Sequence, residues 1–106
     1  MDMRGVLAQA VWEAAKAAFP QAALDAAVIG RALELPPDAA MGDMAFPCFS
    51  LSKALRMGPP QIAQQLAGHV QSPAIERAEV KGGYLNLFIH RVWLAQHVLE
   101  AVMRSP

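Results

Sequence analysis

Apolar residues at Met3, Val6, Leu7, Ala10, Val11, Ala14 and Ala18 recur at helical spacing. This predicts a first helix with Asp2 as its N-cap and Pro20 as its stop. The alanine-rich stretch 22–27 adds at most a short helical turn. Residues 28–35 (VIGRALEL) read as a strand with Ile29, Leu33 and Leu35 inward, ended by Pro36-Pro37-Asp38. After a loop to Gly42-Asp43 comes a short extended piece at 44–45. It leads into a second helix with Pro47 in its first turn and Cys48, Leu51, Ser52 and Leu55 on one face, closed by Gly58. Pro59-Pro60 opens a third helix anchored by Ile62, Leu66 and Val70. Residues 75–80 and 84–89 read as two strands of a hairpin around Gly82-Gly83. A last helix runs from Arg91 to about Met103, burying Trp93 or Val92 with Ala95, Val98, Leu99 and Val102. Helix, strand, helices, hairpin, helix is an α+β order. It predicts a two-layer fold, with a small antiparallel sheet and helices packed on one face.

The segment Lys81-Gly82-Gly83-Tyr84-Leu85-Asn86-Leu87-Phe88-Ile89 carries the most information. Paired glycines mark a turn where a bulky ligand can approach the backbone. Beyond it Leu85, Leu87 and Ile89 fall on one strand face, and Tyr84, Asn86 and Phe88 on the other. An aromatic ring two residues from an amide suits a nucleobase, which stacks on the ring while the amide reads its edge. The same pattern also suits Tyr84 and Phe88 packed under a loop, with Asn86 satisfying a backbone group.

Length and composition narrow the choice. The chain has 106 residues, enough for one domain with a real core, and is 55% hydrophobic. Nine Lys and Arg balance nine Asp and Glu, so a broad basic field for indiscriminate nucleic-acid binding is absent. The lone Cys48 rules out an internal disulfide and fits a reducing, cytoplasmic setting. Glu13, Lys16, Pro20 and Asp25 interrupt the apolar stretch 7–29, so it does not read as a membrane span. His69, His90 and His97 are not at metal-ligand spacings, and Glu76 and Glu79 read as solvated charges. There is no P-loop, no nucleotide-binding GxGxxG and no nucleophile–base pairing, so catalysis within this chain is not expected.

Four blocks in order resemble the N-terminal domain of arginyl-tRNA synthetase, a class I aminoacyl-tRNA synthetase. They are Leu33-Glu34-Leu35-Pro36-Pro37-Asp38; Gly42-Asp43-Met44-Ala45; Leu51-Ser52-Lys53-Ala54-Leu55 with the helix start Pro60-Gln61-Ile62-Ala63; and Val80-Lys81-Gly82-Gly83-Tyr84-Leu85-Asn86-Leu87. The likeness covers about residues 28–90. Met44 stands where the family usually has an aromatic residue, and Pro47 lies near where many members have asparagine.

The resemblance implies a small α+β module ahead of a catalytic domain, contacting the D-loop at the outer corner of tRNA-Arg. Tyr84 and Asn86 match the family positions that meet an unpaired D-loop base, with Lys81, Gly82 and Gly83 just upstream. Lys53 and Arg56 would meet phosphates if they lie nearby. The HIGH and KMSKS-type signatures for ATP do not occur in this chain, so the resemblance implies no cofactor in this domain and ATP use by the parent enzyme. A different class of function, a protein–protein interaction module using an open sheet face with Tyr84, Phe88 and Trp12, remains the alternative.

Overall fold

The computed structural model describes residues 3–96. Helix α1 (Met3–Ala18) forms as its apolar spacing predicts, and turns Leu7, Ala10, Val11, Ala14 and Ala15 into the core. The expected Asp2 cap and the part of the last helix beyond residue 96, with Val98, Leu99 and Val102, lie outside the described residues.

The expected strand at 28–35 is instead mostly a helix, α2 (Ala26–Ala32). The Asp25 carboxylate accepts the Ala27 N–H at 2.9 Å and so starts the helix, and alanines in its first turn favour propagation over extension. Its C-terminal carbonyls are tied to α1, because the Arg4 guanidinium donates to the Gly30 and Leu33 carbonyl oxygens at 2.9 and 2.6 Å. Ile29 and Leu33 are buried as expected, but Leu35 is 75% exposed. Only Glu34 keeps a strand-like role, in an isolated antiparallel bridge to Ala45.

The first true strand, β1 (Met44–Pro47), is longer than expected and retains Pro47, which the sequence had assigned to the helix. Helix α3 (Phe49–Leu55) follows, ended by Arg56 in the left-handed region rather than by Gly58. Gly58 is instead the N-cap of α4 (Pro59–His69), where Pro59 and Pro60 occupy positions that need no N–H donor. Ile62, Ala63 and Leu66 are the buried anchors of α4, and Val70 is half-buried at its C-cap.

Strands β2 (Ile75–Lys81) and β3 (Tyr84–Ile89) form the expected hairpin. Gly82 has φ +60 and Gly83 does not share that sign. A positive φ at the first of two central residues is the II′ arrangement that matches strand twist. The sheet is antiparallel, in the order β1-β3-β2, so the last strand in sequence is the central one. Helix α4 packs against β2 and β3, and α1 packs on α2 and α4. One core results, built on Leu7, Val11, Ile29, Leu33, Phe46, Leu51, Ile62, Leu66, Leu85 and Leu87. Residues 91–96 are helical; there Trp93 and Leu94 are half-buried, while Val92 and Ala95 are exposed. The α+β fold class with helices on one sheet face stands as expected.

Candidate nucleic-acid interface

Register fixes which side chains share the sheet face away from α4. Opposite β3, Lys81 and Pro47 flank Tyr84, Glu79 and Ala45 flank Asn86, and Arg77 pairs with Phe88. The alternation read from sequence is therefore correct: Leu85, Leu87 and Ile89 are buried toward the core, and Tyr84 is 38% exposed.

Asn86 departs from the sequence expectation. It lies on the face opposite the aliphatic residues, but it is only 3% exposed rather than open to solvent. Gly42 lies against it, so that a Cβ there would stand 3.5 Å from the Asn86 Cβ and 2.9 Å from the Leu87 carbonyl oxygen. With φ +109, Gly42 holds a backbone conformation and a proximity that a side chain would prevent. The neighbouring Asp43 locks this approach: its N–H donates to the Leu87 carbonyl oxygen at 2.8 Å. Among the described residues, no side chain or backbone group hydrogen-bonds the Asn86 side-chain amide. The amide is not among the buried side-chain atoms that lack a partner, which are Trp12 Nε1 and Ser52 Oγ, so its polar atoms keep contact with solvent through which a ligand edge can reach them.

The hairpin turn is joined to both neighbouring helices. The Cys48 N–H, one residue before α3, donates to the Gly83 carbonyl oxygen at 2.9 Å. A Cβ on Gly83 would stand 2.8 Å from the Cβ of Pro59 at the start of α4. Lys81, across the turn from Tyr84, is exposed and forms no ion pair among the described residues. Lys53 and Arg56 are also exposed, but on α3, so they belong to a helix that begins at the turn rather than to the strand.

The other aromatic candidates do not join Tyr84. The Arg77 guanidinium covers the Phe88 ring at 3.9 Å and is itself held by Glu79 at 2.8 Å. Trp12 sits on α1 in the helical layer, with Lys16 over its ring at 4.3 Å. Cys48 is fully buried, and burial pushes its thiol up to about 12, against a smaller downward pull from the Leu85 backbone, so it is no nucleophile at neutral pH. Among the described residues no group of three His, Cys, Asp or Glu could hold a metal ion, and no helix is long and apolar enough to cross a membrane.

Two features of this region were not singled out from sequence. Phe49 is 60% exposed at the start of α3. Its signal was an aromatic residue out of phase with the apolar face at Cys48, Leu51 and Leu55. Asp43 ties the end of β3, and that tie runs over a sequence separation no local pattern reveals.

The sequence model of the family described as Arginyl tRNA synthetase N terminal domain matches residues 5–89. The chain belongs to this family. Among curated relatives, the arginine–tRNA ligase of Clostridium perfringens is 39% identical over 77 residues, which is 73% of this chain and 14% of the relative. That of Clostridium botulinum strain Alaska E43 is 38% identical over 82 residues, 77% of this chain and 15% of the relative. The Thermus thermophilus arginyl-tRNA synthetase structure superposes with a TM-score of 0.71 at 30% identity, over 92% of this chain and 16% of that one. This chain therefore spans about one-sixth of the arginyl-tRNA synthetases it matches. The hairpin, α3 and the Gly42 approach all fall inside the span matched by the arginyl-tRNA synthetase N-terminal domain model.

Proposed function

We propose that this domain binds the D-loop at the elbow of tRNA-Arg and positions that tRNA for arginine–tRNA ligation by a separate class I catalytic domain of the same synthetase. The domain itself performs no chemistry. It supplies remote binding energy and orientation, which lower the cost of presenting the tRNA end to a distant active site. Tyr84 stacks on an unpaired base, Asn86 hydrogen-bonds that base's edge, and Lys81 beside the Gly82-Gly83 turn meets a phosphate.

The observation that carries the reading is the Asn86 amide, without a hydrogen-bond partner among the described residues and still reached by solvent although the residue is mostly covered, two residues from a partly exposed tyrosine on the hairpin. The test is fluorescence anisotropy with a labelled tRNA-Arg transcript across a salt series. A neutral domain with a few local cations is expected to give a log–log slope of roughly −2 to −4. Tyr84→Ala should weaken binding about 5- to 100-fold, and Tyr84→Phe far less. Unchanged affinity in both Tyr84→Ala and Asn86→Ala overturns the reading.

A further inference from the structure

Helix α3 offers a second surface of the same chemistry as the hairpin, and it is rigidly placed beside it. The Cys48 N–H is held by the Gly83 carbonyl oxygen at 2.9 Å, and Pro47 lies opposite Tyr84 in the sheet. Phe49, the next residue, is 60% exposed although nothing in the helix pattern requires a large ring at that position. Lys53 lies one turn on from Phe49, about 6 Å along the helix at its rise per residue, and Arg56 follows at the helix's C-cap. Both cations are exposed, and neither forms an ion pair among the described residues.

Local charge sharpens the choice of partner. The chain is neutral as a whole, yet no acidic residue occurs between Asp43 and Glu76. The stretch holding α3 and α4 is therefore cationic. Asp25 lines a groove with Lys53, but its carboxylate is engaged in capping α2. Arg56 adds an independent sign of constraint. It holds φ 55 and ψ 41, a left-handed conformation that glycine or asparagine adopts more readily. An arginine at a position where glycine is less strained points to a use for its guanidinium.

We infer that Phe49 is a second base-stacking platform and that Lys53 and Arg56 bind the phosphates flanking that nucleotide, so that the hairpin and α3 grip two separate unpaired nucleotides of one RNA. This rests on the tRNA reading of the hairpin. An exposed aromatic ring with one unpaired cation a helical turn on and a second at the C-cap of the same helix matches an unstacked nucleotide and its backbone better than it matches an apolar protein surface. Because the Gly83–Cys48 bond fixes the two platforms relative to each other, the bound nucleotides are held at a set separation.

The test measures binding of the full chain to the labelled tRNA-Arg transcript, with thermal melting of each variant alongside. Phe49→Ala should weaken binding about 5- to 100-fold, and Phe49→Leu nearly as much, because leucine keeps apolar bulk but has no π-face. Arg56→Gly should make the salt slope shallower by about one unit and leave the melting temperature unchanged or raised. Weakening by Phe49→Ala together with Tyr84→Ala supports both platforms. If Tyr84→Ala weakens binding while Phe49→Ala does not, the α3 platform falls and the hairpin reading stands. If Phe49→Ala weakens binding while Tyr84→Ala does not, the hairpin reading falls and the two-platform grip falls with it, leaving α3 as a lone contact. Wild-type binding by Phe49→Leu, with loss in Phe49→Ala, overturns stacking in favour of plain apolar contact.

Discussion

Asp43 accepts the backbone N–H of Ile89 at 2.8 Å through Oδ2, and so closes the end of the central strand from a loop. Its other oxygen, Oδ1, takes the Arg91 guanidinium at 2.9 Å. The first bond is part-buried, whereas Arg91 is largely exposed, so the two should contribute unequally. Asp43→Ala is expected to destabilise the domain by about 1–3 kcal/mol in urea unfolding, because the Ile89 N–H loses its partner. Arg91→Gln should cost less than about 1 kcal/mol. Equal losses from the two substitutions would show that the ion pair, not the strand cap, matters.

The three glycines of the site should rank by what surrounds them. Gly42→Ala combines a positive φ with a 2.9 Å approach to the Leu87 carbonyl oxygen, and should cost more than about 2 kcal/mol. Gly82 has φ +60 but open space, so Gly82→Ala should cost about 1–2 kcal/mol and Gly82→Asn much less. Gly83→Ala meets the rigid Pro59 ring at 2.8 Å and should separate the hairpin from α4. Urea midpoints at constant slope are the measurement, and a Gly42→Ala variant as stable as the parent would refute the close-approach account.

Adjacent residues of β3 should respond oppositely. Leu85→Ala removes a fully buried side chain and should cost about 2–5 kcal/mol. Asn86→Leu replaces an amide that has no partner among the described residues with an apolar group of similar size, and should leave stability little changed while weakening tRNA binding. Thermal melting paired with anisotropy separates the outcomes. If Asn86→Leu unfolds the domain, its amide has a structural task.

The buried Cys48 should register at high pH. Its folded value near 12 lies above the ordinary thiol value of 9.0, with burial as the main cause, so the unfolded chain ionises first. This contribution to stability is full below about pH 9 and is lost as pH rises from there toward 12. Relative to Cys48→Ala, the parent's stability should therefore fall more steeply across that window. Parallel stability curves for the two proteins above pH 9 would contradict it.

The hairpin was legible because strict alternation and paired glycines are local signals, and β3 has the bounds its sequence suggests. Residues 28–35 were not, because Val28, Ile29 and Leu33 satisfy a strand pattern and a helix pattern alike. Asp25 before the alanine pair was the deciding cap, and its effect outweighed the branched side chains. At the site, the face of Asn86 followed from its spacing, but its burial did not. What covers it is Gly42, more than forty residues earlier, and no periodicity of β3 encodes that approach.

The strand order has a consequence for synthesis. The central strand is the last of the three to leave the ribosome, so β1 emerges with its partner strand β3 still unmade. A nascent chain ending before Tyr84 can gather α1, α2 and α4 into contact but has no sheet to lay them on. Once β3 is free, the local hairpin with β2 can close first, and the long-range pairing with β1 follows. Until then Phe46 and Leu51 have no β3 to pack on, which makes this interval the one in which the growing chain is exposed to chaperones and to misassociation.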